Sequence, residues 1–317
     1  MISTDLNKAI SVLQSDNLIA IPTETVYGLA GNAFSDEAIN KIFELKKRPH
    51  FNPLIVHLKS SDELHAIARE IPEEAIKLAE AFWPGPLTLV LKKQSHISSL
   101  ITAGKDTVAV RVPNHPLTLQ LLNRIDFPLV APSANPFGSI SPTSAAHVYN
   151  YFKNELEIIL DGGACERGIE STIVGFEDGI PHIYRLGSVS IEEIKQVIGN
   201  IDVFHSEFNE IKSPGMLSRH YAPKTKTVLV DDVEKSINLF LNKRIGVIMF
   251  ENKITNSKII AQEVLSEVGD LNESAQKLYA SLHRLDHLNL DIIIAEKFPD
   301  FGLGRSINDR LLRATKP

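Results

Sequence analysis

The sequence predicts an α/β protein in two parts: a mixed sheet packed by helices, then a smaller Rossmann-like unit. Three observations predict it. Short apolar runs alternate with segments of helical period. The alternation lapses between residues 206 and 225, where SPGMLSRHYAP (213–223) reads as a linker. It then resumes as a second strand–helix series. The expected division is 1–205, 206–225 and 226–317, and a length of 317 residues suits two domains.

Taken in order, Asp5 to Gln14 has a helical period in Leu6, Ala9, Ile10 and Leu13, and Leu18 to Pro22 is a short buried strand. Ser35 caps a helix over Asp36 to Lys46, whose apolar face is Ala38, Ile39, Ile42, Phe43 and Leu45. Leu54 to Leu58 is a strand, Ser61 opens a helix, and Pro72 starts another that ends near Trp83. Strands follow at 87–92, 108–112, 129–131, 158–161, 171–176 and 182–185, and a helix at 190–198 closes the block. In the second part, 227–231, 246–250 and 291–296 read as strands, and 233–241, 274–288 and 306–314 as helices. No GxGxxG fingerprint is present, so no nicotinamide cofactor is assigned.

Composition narrows the function classes. The formal net charge is −6, from 33 Lys or Arg and 39 Asp or Glu. Residues 1–205 carry 17 basic and 24 acidic residues, so the acidic excess lies in the first block. That argues against an extended nucleic-acid surface and leaves room for a small anion held by a few placed cations. One cysteine, Cys165, excludes an internal disulfide and multi-thiolate zinc. Without a signal-like N-terminus or a membrane-length apolar run, the expectation is a cytoplasmic protein.

Four segments carry polar residues that packing alone does not require. In IPTETVYGLAG (21–31), Thr23, Glu24 and Thr25 follow a strand, a ligand position in α/β sheets or a turn closed by hydroxyls. In LKKRPHFNPLIVHL (45–58), Lys46 and Arg48 suit a polyphosphate or simply offset a helix dipole, and His57 sits in an apolar strand. In AVRVPNHP (109–116), Arg111 lies within a strand and must meet a protein carboxylate or a bound anion. In APSANPFGSISPTS (131–144), Ser133, Asn135, Ser139, Ser141, Thr143 and Ser144 form either a phosphate-cradling loop or a solvated one. No Walker A motif, catalytic triad or HExxH pair occurs.

PTETVYGL (22–29), Lys46-x-Arg48-Pro49 followed by NPLIVH (52–57), VRVP (110–113) and SAN (133–135) resemble the YrdC/Sua5 family of L-threonylcarbamoyladenylate synthases. The SPGMLSRHYAP segment and the GLGRSINDRLLRA end (302–314) resemble its two-domain branch. The resemblance implies a YrdC-like twisted mixed sheet with a basic concavity, plus a smaller Rossmann-like Sua5 domain. It implies a nucleotidyltransferase that condenses L-threonine, bicarbonate or CO2, and ATP to threonylcarbamoyl-AMP, with Mg2+ and release of pyrophosphate. A separate transferase complex would place the threonylcarbamoyl group on adenosine 37 of tRNA.

Position by position, Thr25, His57, Arg111, Ala131 and Ser171 resemble the threonine pocket, with Arg111 as a fork for the amino-acid carboxylate. Arg48, Asn52, Thr107, Ser133, Asn135, Ser141, Arg185 and Tyr221 resemble the ATP contacts. Lys46 and Arg48 would neutralise phosphate charge as the catalytic pair, and magnesium would be held mainly by the ATP phosphates. Arg219 and His220 belong to the linker motif, which is expected to cover bound nucleotide. The family often has Lys-Gly-Arg where this chain has Lys46-Lys47-Arg48, and often Pro where Leu186 follows Arg185.

Overall fold

The computed structural model describes residues 1–204, 221–240 and 242–316. Two sheets organise the described residues, and sheet membership changes between Val203 and Thr227. The first sheet contains β1 (Ile2–Ser3), β2 (Ile19–Ile21), β3 (Gly28–Asn32), β4 (Ile55–His57), β5 (Ala68–Arg69), β6 (Leu87–Lys93), β7 (Thr107–Arg111), β8 (Leu129–Val130), β9 (Ile159–Leu160), β10 (Thr172–Glu177), β11 (Ile180–Arg185) and β12 (Asp202–Val203). Their order is β1-β9-β2-β3-β8-β4-β7-β6-β10-β11-β12, with β5 paired to β6. The sheet is mixed: β4 runs parallel to β7 and antiparallel to β8, and β6 runs antiparallel to β7 and parallel to β10.

Its helices are α1 (Leu6–Gln14), α2 (Asp36–Lys46), α3 (Leu64–Ile67), α4 (Glu73–Phe82), α5 (Ser99–Thr102), α6 (Pro116–Leu122), α7 (Ala145–Phe152) and α8 (Ile191–Ile198). Capping sets several starts. The side chains of Asp5, Ser35 and Ser144 each accept a backbone N–H from the first turn of α1, α2 and α7. Ser190 and Glu193 form a reciprocal capping box on α8.

Alternation along the strands positions the site. Val56, Val108, Val110, Val174 and Ile183 belong to the main core on one face. Ile55, Val90, Ala109, Ile173 and Tyr184 form a smaller apolar cluster apart from it. With a side-chain period of two, His57 joins Ile55, and Thr107 and Arg111 join Ala109, on that second face. The β4–β7 register sets His57 directly beside Arg111. Two isolated polar residues of the sequence thus become neighbours.

The second sheet is parallel throughout: β13 (Thr227–Val230), β14 (Ile245–Met249), β15 (Ile259–Val264) and β16 (Ile292–Glu296), in the order β13-β16-β14-β15. It carries α9 (Val233–Ile237), α10 (Leu271–Asp286) and α11 (Leu303–Ala314). The helix expected over 233–241 closes at Ile237, with Asn238 as its C-cap. One apolar cluster is shared by both parts: Val26, Ile140, Ile169 and Tyr221 pack with Leu278, Tyr279, Leu282, Leu303, Ile307 and Leu311.

Candidate active site

A cavity opens on the second face of the large sheet. It is lined by Thr25, Arg48, His57, Arg111, Ala131, Ser133, Ser171, Arg185 and Tyr221, along with Glu170 and apolar neighbours. Residues spread over nearly 200 positions of sequence therefore meet at one place.

One end of the wall is built on Arg111. Its Nη2 donates to Glu24 Oε1 (2.6 Å), Nη1 to Thr25 Oγ1 (3.0 Å) and Nε to the Gly85 carbonyl (3.1 Å). Glu24 also accepts the Asn114 N–H at 2.9 Å. The choice between a protein carboxylate and a bound anion thus resolves onto Glu24, because a cation this buried needs a counter-charge. The expected open fork is correspondingly narrowed: three of its five donors are committed, and one hydrogen on each Nη is left for a ligand.

His57 is next to it and buried. Burial, the adjacent Arg111 charge and the bond to Ile55 act on its ring, and the net effect lowers its pKa to about 3. Its Nδ1 lies 3.1 Å from the Ile55 carbonyl. A carbonyl only accepts, so the neutral ring carries its proton on Nδ1 and Nε2 is an acceptor. Ala131 gives its N–H to the Ile55 carbonyl (3.1 Å). Ser171 Oγ pairs with Thr88 Oγ1 at 2.8 Å and accepts from Arg185 Nη2 at 3.0 Å. Gly187 passes so close that an added Cβ would lie 2.4 Å from the Ser171 carbonyl carbon and 2.5 Å from the Glu170 oxygen. Only glycine permits that approach.

The other end is cationic. Arg48 donates from Nε to the Asn52 carbonyl (3.1 Å) and from Nη2 to the Pro53 carbonyl (2.7 Å). No described carboxylate pairs with it. Burial pushes its guanidinium down to about 9, which still leaves it charged at neutral pH. Arg185 faces the same cavity, and burial lowers its pKa as well. Asn52 is fully buried, and neither its Oδ1 nor its Nδ2 has a partner among the described residues. Two such orphaned groups are costly unless a ligand or water satisfies them.

Asn52 does not line the cavity, and four other expected contacts also stand outside it. Lys46 is buried behind the wall, with Nζ donating to the carbonyls of Ser133 and Asn135. It cross-links the end of α2 to the loop after β8, and burial together with Arg48 lowers its pKa strongly. Asn135 knits that loop through Nδ2 to the carbonyls of Pro136 and Ser139, both 2.9 Å, while its Oδ1 is buried without a partner. Ser141 donates Oγ to Glu170 Oε1 at 2.6 Å. Thr107 lies four residues before Arg111 on β7 and lines a separate surface depression with Val90, Phe176 and Tyr184. The 139–144 hydroxyls form neither an open cradle nor a solvated loop: Ser141 and Thr143 are buried, and Ser144 is the cap of α7. Tyr221 is buried with φ of 63°, in the left-handed region. Residues 205–220, Arg219 and His220 included, lie outside the described residues.

Sequence reasoning left Glu24 and Glu170 without roles and missed Tyr279 and Arg310. Glu170 accepts from Ser141, from Tyr279 Oη (2.9 Å to Oε2) and from Arg310 Nε (2.8 Å). The available signal was a charged residue on the apolar stripe of α11, where Arg310 falls between Ile307 and Leu311.

This fold and wall define an α/β protein whose cavity sets Arg48 and Arg185 at one end and Arg111, Thr25 and His57 at the other. A family model described as "Telomere recombination" matches residues 11–187, and one described as "Threonylcarbamoyl-AMP synthase, C-terminal domain" matches 189–315. The chain belongs to the YrdC/Sua5 family. It is 40% identical to a threonylcarbamoyl-AMP synthase of Pyrococcus abyssi, covering 97% of this chain and 93% of that one. It is 39% identical to the Bacillus subtilis protein of the same description, covering 97% and 92%. A crystal structure of P. abyssi Sua5 complexed with L-threonine superposes with a TM-score of 0.91 at 39% identity, covering 98% of this chain and 94% of that one.

Proposed function

We infer that this chain condenses L-threonine, bicarbonate or CO2, and ATP to L-threonylcarbamoyl-AMP, for the threonylcarbamoyladenosine at position 37 of tRNA. The observation that carries this reading is the convergence of Thr25, His57 and Arg111 with Arg48 and Arg185 on one cavity, in a chain closely similar to threonylcarbamoyl-AMP synthases.

The threonine amine attacks CO2, or bicarbonate with loss of water, to give a carbamate. A carbamate oxygen then attacks the α-phosphorus of ATP, and pyrophosphate leaves. Such a transfer depends on alignment and charge stabilisation more than on a covalent catalyst. Arg111 and Thr25 orient the amino acid, and His57 Nε2 accepts from its hydroxyl or amine. A pKa of about 3 makes His57 a hydrogen-bond acceptor and a poor proton store at neutral pH. Arg48 and Arg185 face the phosphates.

Magnesium fits as the counter-ion of ATP and not as a resident metal. The only carboxylate among the described lining residues is Glu170, and it already accepts from three side chains. This reading places the reaction in the cytoplasm, with the product passed to a threonylcarbamoyl-transferase complex. No described helix is long and apolar enough to cross a membrane.

Purified protein supplied with ATP and Mg2+ is expected to release pyrophosphate only when both threonine and bicarbonate are present. Arg48→Ala is expected to lower kcat/KM for ATP by about 100-fold. Release that ignores threonine, or an unaffected Arg48→Ala protein, rejects the assignment.

A further inference from the structure

Glu170 presents a problem for an ATP site. It is a buried carboxylate in the wall of a cavity that also holds Arg48 and Arg185, and an unneutralised charge there would repel the phosphates. Its surroundings answer that problem from outside the first domain. Arg310 Nε on α11 donates to Oε2 at 2.8 Å, and Tyr279 Oη on α10 donates to the carboxylate at 2.9 Å. The Arg310 side chain is wholly buried. Its Nη2 is fixed by the Leu186 carbonyl (2.6 Å) and its Nη1 by Asp309 (2.6 Å). The same guanidinium lies 4.8 Å from the ring centroid of Tyr221, and Tyr279 packs on that ring at 5.8 Å. Tyr221 needs such support, since φ of 63° is an unfavourable conformation for a tyrosine.

Neither Arg310 nor Tyr279 lines the cavity, and each touches a residue that does. Burial alone would raise the pKa of Glu170, but Arg310, Arg185 and the Ser141 hydroxyl outweigh it and hold the carboxyl below its ordinary value. The group is therefore a fixed anion that needs a fixed cation.

We propose that Arg310 of the C-terminal domain is a positioning residue for the nucleotide half of the site, masking the Glu170 charge so that the cavity remains attractive to ATP phosphates. The second domain thereby contributes to the electrostatics of the reaction centre, beyond joining the linker. This rests on the reading of the cavity as an ATP and threonine site.

The test compares wild type, Arg310→Gln and the double variant Glu170→Gln/Arg310→Gln. Apparent KM is measured separately for ATP and threonine by pyrophosphate release. Arg310→Gln is expected to raise KM for ATP by about tenfold or more, with KM for threonine within about twofold. The double variant removes both charges and is expected to return KM for ATP to within about threefold of wild type. A merely structural arginine predicts that both KM values change together and that the double variant is no better than the single; either result overturns the role. If Arg310→Gln does not fold, the double variant decides alone, and a KM for ATP more than about threefold above wild type overturns it. Wild type without threonine-dependent release would overturn the synthase reading itself, whereas normal wild-type turnover beside an unrescued double variant overturns only the masking role.

Discussion

At the scale of single residues, the site is made by polar groups whose partners restrict what they can do. Arg111 resembled a free fork in sequence, yet most of its donors serve Glu24, Thr25 and Gly85. His57 sits in an apolar strand, and the structure makes it a buried neutral ring with one nitrogen committed to Ile55 and the other left as an acceptor. A role as acceptor has a kinetic signature. The pH profile of kcat/KM for threonine should show no ionisation of His57 between pH 6 and 9, since its pKa is held at about 3. His57→Gln should raise KM for threonine by about tenfold without changing the profile's shape. An inflection near 6.5 that disappears in His57→Gln would show the ring to be the titrating base.

At the scale of elements, much was legible in the sequence because its signals are local. The Ser35 cap and the apolar stripe of α2 placed that helix at Asp36–Lys46, and the helix read at 190–198 forms as α8. Elements defined by tertiary partners were not legible. β3 reads Gly-Leu-Ala-Gly-Asn, a poor strand sequence, and it forms because β2 and β8 flank it. A Cβ at Gly31 would lie 2.9 Å from Leu18 and 3.3 Å from Ala38, so the glycine that weakens the strand signal is needed for packing. α7 was hidden because its cap, Ser144, read as one more loop hydroxyl. The site divided in the same way. Motifs located its wall, but the Glu170–Arg310 pair joins positions 140 apart and depends on domain packing.

The glycine of the family's Lys-Gly-Arg also finds its physical reason at this scale. Lys47 is the C-cap of α2 with φ of 52°, a left-handed position that glycine adopts without steric cost. Lys47→Gly should therefore stabilise the protein by about 1 kcal/mol, seen as a higher denaturant midpoint with KM values little changed. A lower midpoint would mean that the lysine side chain contributes more than its backbone costs.

At the scale of the whole molecule, the two parts share an apolar cluster and several buried polar links, including Ser306 Oγ to the Gly187 carbonyl at 2.8 Å and His283 Nε2 to the Ser141 carbonyl at 3.2 Å. His283 of α10 stacks on His147 of α7 with ring centroids 4.0 Å apart. Burial lowers His283 to about 3, with the His147 charge adding to the effect; burial likewise lowers His147 to about 4, with Arg284 and His287 adding. With His57 also at about 3, three histidines stay neutral in the folded chain where an unfolded one would be protonated. The sign follows from linkage. Above pH 6.5 both states are neutral and nothing is gained. As pH falls below 6.5 the unfolded state binds protons that the native state refuses, so stability is lost progressively toward the folded values of about 3 to 4. A histidine lowered this far costs roughly 3 kcal/mol at pH 4. Two of the three lie on the domain contact, so acid should loosen that contact together with the nucleotide site it supports. Urea midpoints should therefore fall steadily from pH 6.5 to pH 4, and His147→Gln/His283→Gln should flatten that slope by about half or more. A double variant with the wild-type slope would place the acid sensitivity elsewhere, in His57 or in the buried Glu170 carboxylate.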